Sequence, residues 1–155
     1  MLYLMVDPST SDLDDLERDP DVAATWFADG NPLDLGTAWH GIHFLLNGSA
    51  WGGSGPLYDA VLGGTPVGDP STYEPVRYLS PAEVSAVVAA LPTEQDLVPR
   101  FTHKAMRLAE VYPEQAWDEA AALTEFLLPA YQLLVAFFSR AAGDGEAVLI
   151  TLDRD

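Results

Sequence analysis

Glycine is distributed unevenly along this chain, and the distribution limits where regular secondary structure can form. Nine of the 12 glycines of the 155-residue chain lie between residues 36 and 68. Glycine in the interior of a helix or strand costs about 0.5–1 kcal/mol relative to alanine. The middle of the chain should therefore contain short elements and loops, and Gly48–Pro56, with four glycines, is predicted to be a loop throughout.

The segments that resemble strands lie mostly at the two ends of the chain. Leu2–Val6 is apolar at every position, which is typical of a buried strand, and Ala147–Leu152 is a second apolar run. Arg77–Leu79 is a third, shorter candidate. We expect an α+β fold: a single compact domain over residues 1–155, with a small mixed sheet covered by helices.

Helices are predicted from cap residues and apolar spacing. Ser80 and Glu83 have the spacing of a capping box, and the apolar residues that follow predict a helix to about Leu91. A second helix is predicted over Asp34–Leu46, where Gly41 suggests a packing constraint. Further helices are predicted to end at about Arg18 and to span Leu57–Leu62, Glu94–Val98, Thr102–Val111 and Asp118–Ala142, the last kinked or split at Pro129.

The charge of the chain excludes several classes of partner. The 24 acidic residues outnumber the 7 basic ones, and the net charge is −17. Nucleic acids and anionic membranes are bound largely through Lys and Arg, so we expect no nucleic-acid partner and no membrane partner. The chain has no cysteine, which excludes disulfides and thiol chemistry.

The sequence also carries no clear targeting or membrane signal. Met1–Val6 is apolar but has no basic residues beside it, unlike a signal peptide. The longest apolar stretch, Phe126–Phe138, is interrupted by Pro129 and Gln132 and is shorter than the ~20 residues of a membrane span. We therefore expect a cytoplasmic protein.

Two histidines form the strongest candidate for metal binding or catalysis. His40 and His43 are three residues apart, so on a helix they share a face and could contact one metal ion. A metal site needs further ligands, and no nearby residue has diagnostic spacing. The alternative is a pair of histidines that pack and hydrogen-bond inside the protein.

The glycine loop carries the second candidate site. Trp51 is followed by Gly52 and Gly53, so nothing local can cover its ring. Either tertiary packing buries this ring or it offers a flat apolar surface to a ligand or partner. Neither GxxxxGK[ST] nor GxGxxG is present, so no nucleotide or other cofactor is predicted. Trp39, beside Ile42 on the predicted helix, is expected in the core.

Four sequence blocks resemble a known bacterial family. Leu33–Gly48, which contains the run Trp39-His40-Gly41-Ile42-His43, is similar to the hallmark segment of the YfbM-like family, a domain of unknown function. The blocks around Trp51–Leu57, Arg77–Val84 and Val111–Trp117 resemble later segments of the same family, in the same order. The resemblance implies a compact α+β domain and no particular activity.

These observations leave two main hypotheses. The first is a non-catalytic binding protein that uses an acidic surface and the Trp51 loop, for example to neutralise a basic protein. The second is an enzyme that binds a small molecule or a metal ion through His40 and His43, with Trp51 over a pocket. The candidate site residues common to both are Trp39, His40, His43, Trp51, Gly52 and Gly53. A third interpretation is that this block serves folding alone.

Overall fold

The computed structural model describes residues 1–6, 16, 18–19, 22–67, 76–118 and 121–152. Within these residues the strands are β1 (Leu2–Val6), β2 (Leu33–Asp34), β3 (Thr65–Pro66), β4 (Arg77–Leu79) and β5 (Ala147–Thr151). The α-helices are α1 (Val22–Asp29), α2 (Trp39–Asn47), α3 (Pro56–Asp59), α4 (Pro81–Ala90), α5 (Glu94–Leu97), α6 (His103–Leu108) and α7 (Leu128–Gly143). The helix expected before Arg18 lies largely outside the described residues.

The five strands form one sheet in the order β2-β1-β5-β4-β3. The two ends of the chain pair at its centre, where Leu2 faces Thr151 and Val6 faces Ala147. The α+β class and the three expected strands are confirmed. The described pairings are all antiparallel, so the expectation of a mixed sheet is corrected. The short edge strands β2 and β3 were not expected.

Both faces of the sheet are covered, which explains why its central strands are apolar throughout. Tyr3 of β1 and Ile150 of β5 point into the main core. Leu149 points to the opposite face and contacts a smaller cluster. That cluster includes Ala23 and Phe27 of α1, a helix that the sequence analysis did not predict.

The expected capping box is present at the start of α4. The Ser80 hydroxyl accepts a hydrogen bond from the Glu83 amide at 3.2 Å, and the Ser80 amide donates to the Glu83 carboxylate at 3.0 Å. Val84 and Val87 of this helix are fully buried. The capping box thus starts a helix that packs against α7 and the sheet.

The helix that carries the candidate site begins later than expected. Asp34 belongs to β2, and its carboxylate accepts a hydrogen bond from the Gly36 amide at 2.7 Å. The helix α2 starts at Trp39, and its N-cap residue, Ala38, provides no side-chain cap. It ends at Asn47, and the C-cap residue Gly48 has a φ of 70°, in the left-handed region that glycine adopts readily.

The predicted helix over Asp118–Ala142 is divided. A 3₁₀ turn spans Glu114–Asp118, a π-helix spans Ala122–Leu127, and α7 begins at Leu128, directly before Pro129. Among the described residues, the helical run Ala122–Gly143 is long and apolar enough to cross a membrane by length and composition alone. Part of that run lines the core, since Leu134 and Phe138 are fully buried.

Gly41 has the packing constraint that its position in a helix suggested. A Cβ atom at this position would lie 2.6 Å from Leu127 Cδ2 and 2.7 Å from Trp117 Cη2. Both neighbours are buried, so neither can move aside freely. This contact sets the distance between α2 and the segment that leads into α7.

We therefore predict that Gly41→Ala lowers the free energy of unfolding by about 1–3 kcal/mol, because one added methyl group overpacks the core. Urea denaturation followed by circular dichroism measures this change. Gly143→Ala is the matched control, since a Cβ added there meets no atom within 4 Å. Equal stability of the Gly41→Ala variant and the wild type would contradict the proposed constraint.

Candidate functional site

The helix α2 places His40 and His43 on one side, facing the glycine loop. Both imidazole rings are completely buried. Each ring has two nitrogens, and a buried polar atom without a partner is costly. The partners of these four nitrogens therefore define what the pair can do.

His40 joins two distant segments of the chain. Its Nδ1 accepts a hydrogen bond from the Tyr112 amide at 2.8 Å, and its Nε2 lies 2.7 Å from the carbonyl oxygen of Ala50. An amide can only donate, so Nδ1 carries no proton. Nε2 therefore carries the proton and donates it to Ala50, and the ring is neutral.

His43 makes a similar arrangement one turn further along. Its Nε2 lies 2.9 Å from the carbonyl oxygen of Gly52, and its Nδ1 is 3.3 Å from Asn47 Nδ2. The two N–H groups of the Asn47 amide are shared among three acceptors, because Nδ2 also lies 3.1 Å from the carbonyl oxygens of His43 and of Leu57. The two histidines thus bind carbonyl groups two residues apart in the loop. We call His40 and His43 the histidine clamp.

Burial keeps both members of the histidine clamp neutral. Desolvation lowers the pKa of His40, and the hydrogen bond to Ala50 opposes this in part. Desolvation also lowers the pKa of His43, and the hydrogen bond to Gly52 opposes this. The charge of a protonated His40 and the charge of Arg77 lower this pKa further. A proton added at Nδ1 of His40 would also face the Tyr112 amide donor.

At an enzyme or metal site, His40 and His43 would have to contact a substrate or a metal ion directly. Such a site needs imidazoles that face an accessible cavity, whereas both rings are buried and all four of their nitrogens have partners. In the part of the chain that the structure describes, no three His, Cys, Asp or Glu side chains are grouped as metal ligands. The structure thus does not support direct contact of His40 and His43 with a metal ion or a substrate.

The conformation of the loop requires glycine at position 53. Gly53 has a φ of 135°, which L side chains rarely adopt, and an added Cβ would collide with the Asn47 side chain. The Gly52 amide donates to the Ser49 hydroxyl at 2.9 Å. This amide is therefore already bonded within the loop.

Trp51 lies against His40 and remains exposed. Its ring centroid is 4.3 Å from that of His40 and 6.1 Å from that of Trp39. The side chain of Trp51 is nevertheless 63% exposed, whereas Trp39 is buried. Packing thus supports one side of the indole ring and leaves much of it open to solvent.

Tyr112 extends this surface, although it was not among the candidate residues predicted from the sequence. Its ring centroid is 6.4 Å from that of Trp39, and its side chain is 50% exposed. We call Trp39, His40, Trp51 and Tyr112 the aromatic patch. Trp39 and His40 form its buried floor, and Trp51 and Tyr112 form its exposed surface. The only available sequence signal for Tyr112 is its place in the Val111–Trp117 block.

The fold and the site define a class: a small α+β domain in which a buried histidine pair holds a glycine loop with an exposed aromatic ring. Residues 3–151 match the family described as a domain of unknown function, DUF1877. The chain belongs to this family, which confirms the resemblance noted in the sequence.

A solved structure has the same fold. It is the crystal structure of YfbM, a protein of unknown function from Escherichia coli, with a TM-score of 0.73 and 20% sequence identity. The match covers 97% of this chain and 98% of YfbM. No curated protein matches the chain. The similarity to YfbM therefore establishes the architecture and assigns no activity.

The lowered pKa values of the histidine clamp predict a loss of stability in mild acid. An unfolded histidine titrates near pH ~6.5. Above this pH the folded and unfolded states are both neutral at these positions. As the pH falls below ~6.5, the unfolded state binds protons that the folded state excludes. The free energy of unfolding should then fall by up to about 1.4 kcal/mol per pH unit for each histidine.

Urea denaturation between pH 8 and pH 5.5 measures this slope, and His40→Gln should show a smaller slope than the wild type. Asp59 changes the free energy of unfolding in the opposite direction as the pH falls. Burial and the charge of Glu83 raise its pKa, so its folded form binds protons more readily than its unfolded form. The comparison of the two proteins cancels this contribution. An identical slope in both proteins would contradict the role of His40.

Proposed function

We propose that this protein is a non-catalytic binding module that docks a basic segment of a partner protein on the aromatic patch. The observation that carries the proposal is the exposure of Trp51, which is 63% accessible although its ring rests on His40. Exposed tryptophan and tyrosine side chains supply much of the binding energy in protein interfaces.

The support beneath Trp51 favours binding. The loop carbonyls on both sides of Trp51, those of Ala50 and Gly52, bind the histidine clamp. Association costs less when the binding surface is already ordered, because fewer rotamers and loop conformations are lost. A glycine-rich loop without these two bonds would have to be ordered by the partner.

The charge of the chain favours a basic partner. The net charge is −17, and between residues 35 and 67 Asp59 is the single charged residue. The acidic remainder would attract a cationic partner over long distances and raise the association rate at low salt. At the patch, the faces of Trp51 and Tyr112 can hold Arg or Lys side chains through cation–π contacts. The charge thus steers the partner and the rings bind it.

A hexa-arginine peptide, titrated calorimetrically at low and physiological salt, tests the proposal. We predict that Trp51→Ala weakens binding by about tenfold, the loss of one cation–π contact of about 1.4 kcal/mol. Leu133→Ala is the matched control: Leu133 is an apolar side chain of α7 that is 54% exposed. Its removal should change the affinity less than about twofold.

The stability of the same variants separates binding from folding. Because Trp51 is largely exposed, its removal should cost about 1 kcal/mol or less, compared with about 3–5 kcal/mol for a buried tryptophan. Equal affinities of the wild type and the Trp51→Ala variant would overturn the proposed function. A loss of several kcal/mol without a binding defect would instead favour a purely structural role.

A further inference from the structure

A groove lies next to the aromatic patch and has its own chemistry. Its volume is about 340 Å³, within the range of ligand-binding clefts. The walls come from the segment before α2, the 3₁₀ turn at Glu114–Asp118 and the π-helix at Ala122–Leu127. Its lining residues include Thr37, Pro113, Ala116, Ala122, Glu125 and Phe126.

The lining of this groove is apolar with one negative charge. Pro113, Ala116, Ala122 and Phe126 give it hydrocarbon walls, and the carboxylate of Glu125 is the single charged group among its described lining residues. A side chain with an aliphatic stem and a cationic head matches this combination. A carboxylate can bind a guanidinium group through two hydrogen bonds, and guanidinium also stacks on aromatic rings such as Phe126.

The groove adjoins the aromatic patch where Pro113, one of its lining residues, is bonded to Tyr112. Pro113 follows Tyr112 directly, and Thr37 precedes Trp39 by two residues. Phe126 is held against the buried Trp117, with 6.1 Å between their ring centroids, so the wall is supported from inside. π-Helical turns, such as the one that carries Glu125 and Phe126, often occur at functional sites.

We propose that this groove binds an arginine side chain of the same basic segment that docks on Trp51 and Tyr112. The inference rests on the proposed function, which it deepens by adding a second point of recognition. One arginine contacts the aromatic patch, and a second inserts its stem between Pro113 and Phe126 with its guanidinium group at Glu125.

A second groove, of about 400 Å³, is a weaker candidate. It lies on the same 3₁₀ turn and is lined by Arg107, Glu110, Gln115 and Asp118. Arg107 and Asp118 already form an ion pair at 3.1 Å, which occupies the cation and one of the two carboxylates. Its polar lining also lacks the hydrocarbon walls that an arginine stem would contact.

NMR with N-acetyl-arginine amide tests the first groove separately from the patch. The methyl signals of Ala116 and Ala122 report on the groove, and the indole N–H signal of Trp51 reports on the patch. We predict that both alanine methyl signals shift with the concentration of the ligand. In Glu125→Gln, the affinity derived from these shifts should be about threefold lower, which is the effect of losing one exposed ion pair. The charge-matched control is Asp29→Asn, at an exposed carboxylate of α1, which should leave binding unchanged.

The outcomes distinguish the two proposals. Shifts at Trp51 without shifts at Ala116 and Ala122 would overturn the groove and leave the proposed function standing. Alanine shifts that depend on Glu125 would support arginine binding in the groove. If hexa-arginine binding did not depend on Trp51, the proposed function would be overturned, but these alanine shifts would still support the groove. Equal shifts with N-acetyl-citrulline amide, the uncharged isostere, would overturn recognition of a cation.

Discussion

The hydrogen bonds of the buried histidine clamp are the constraint on which the rest of the site depends. His40 and His43 each use one ring nitrogen to bind a loop carbonyl. The other nitrogen accepts a hydrogen bond, from the Tyr112 amide in His40 and from the Asn47 side chain in His43. A loop with four glycines has little conformational preference of its own. The two hydrogen bonds from the imidazoles to the carbonyls of Ala50 and Gly52 therefore supply order that the loop sequence does not provide.

The same hydrogen bonds explain why two histidines on one helix face provide no catalytic or metal-binding pair. Chemistry at an imidazole requires a free lone pair or a proton that can be exchanged near neutral pH. Burial lowers both pKa values, and the loop and its neighbours occupy every ring nitrogen. The pair instead supports the exposed indole of Trp51, because it binds the loop carbonyls on either side of this residue.

Local signals in the sequence predicted those parts of the fold that depend on adjacent residues. The strand Leu2–Val6, the capping box at Ser80 and the packing constraint at Gly41 could all be read from short segments. The edge strands could not, since each has only two residues and exists through pairing with a distant segment. Tyr112 was missed for the same reason: it meets His40 across 72 residues of sequence. The histidines were found by their spacing, but their burial depends on tertiary packing.

One imidazole connects both exposed parts of the aromatic patch. The ring of His40 contacts Trp51 on its face, binds the loop beside Trp51 through Nε2, and receives the Tyr112 amide at Nδ1. The positions of Trp51 and Tyr112 relative to one another therefore depend on a group that does not itself face solvent. Protonation of His40 would place a donor opposite the Tyr112 amide and so weaken the link to Tyr112. A partner that contacts both rings would bind best to the neutral form, and its affinity would be linked to the protonation of this buried residue.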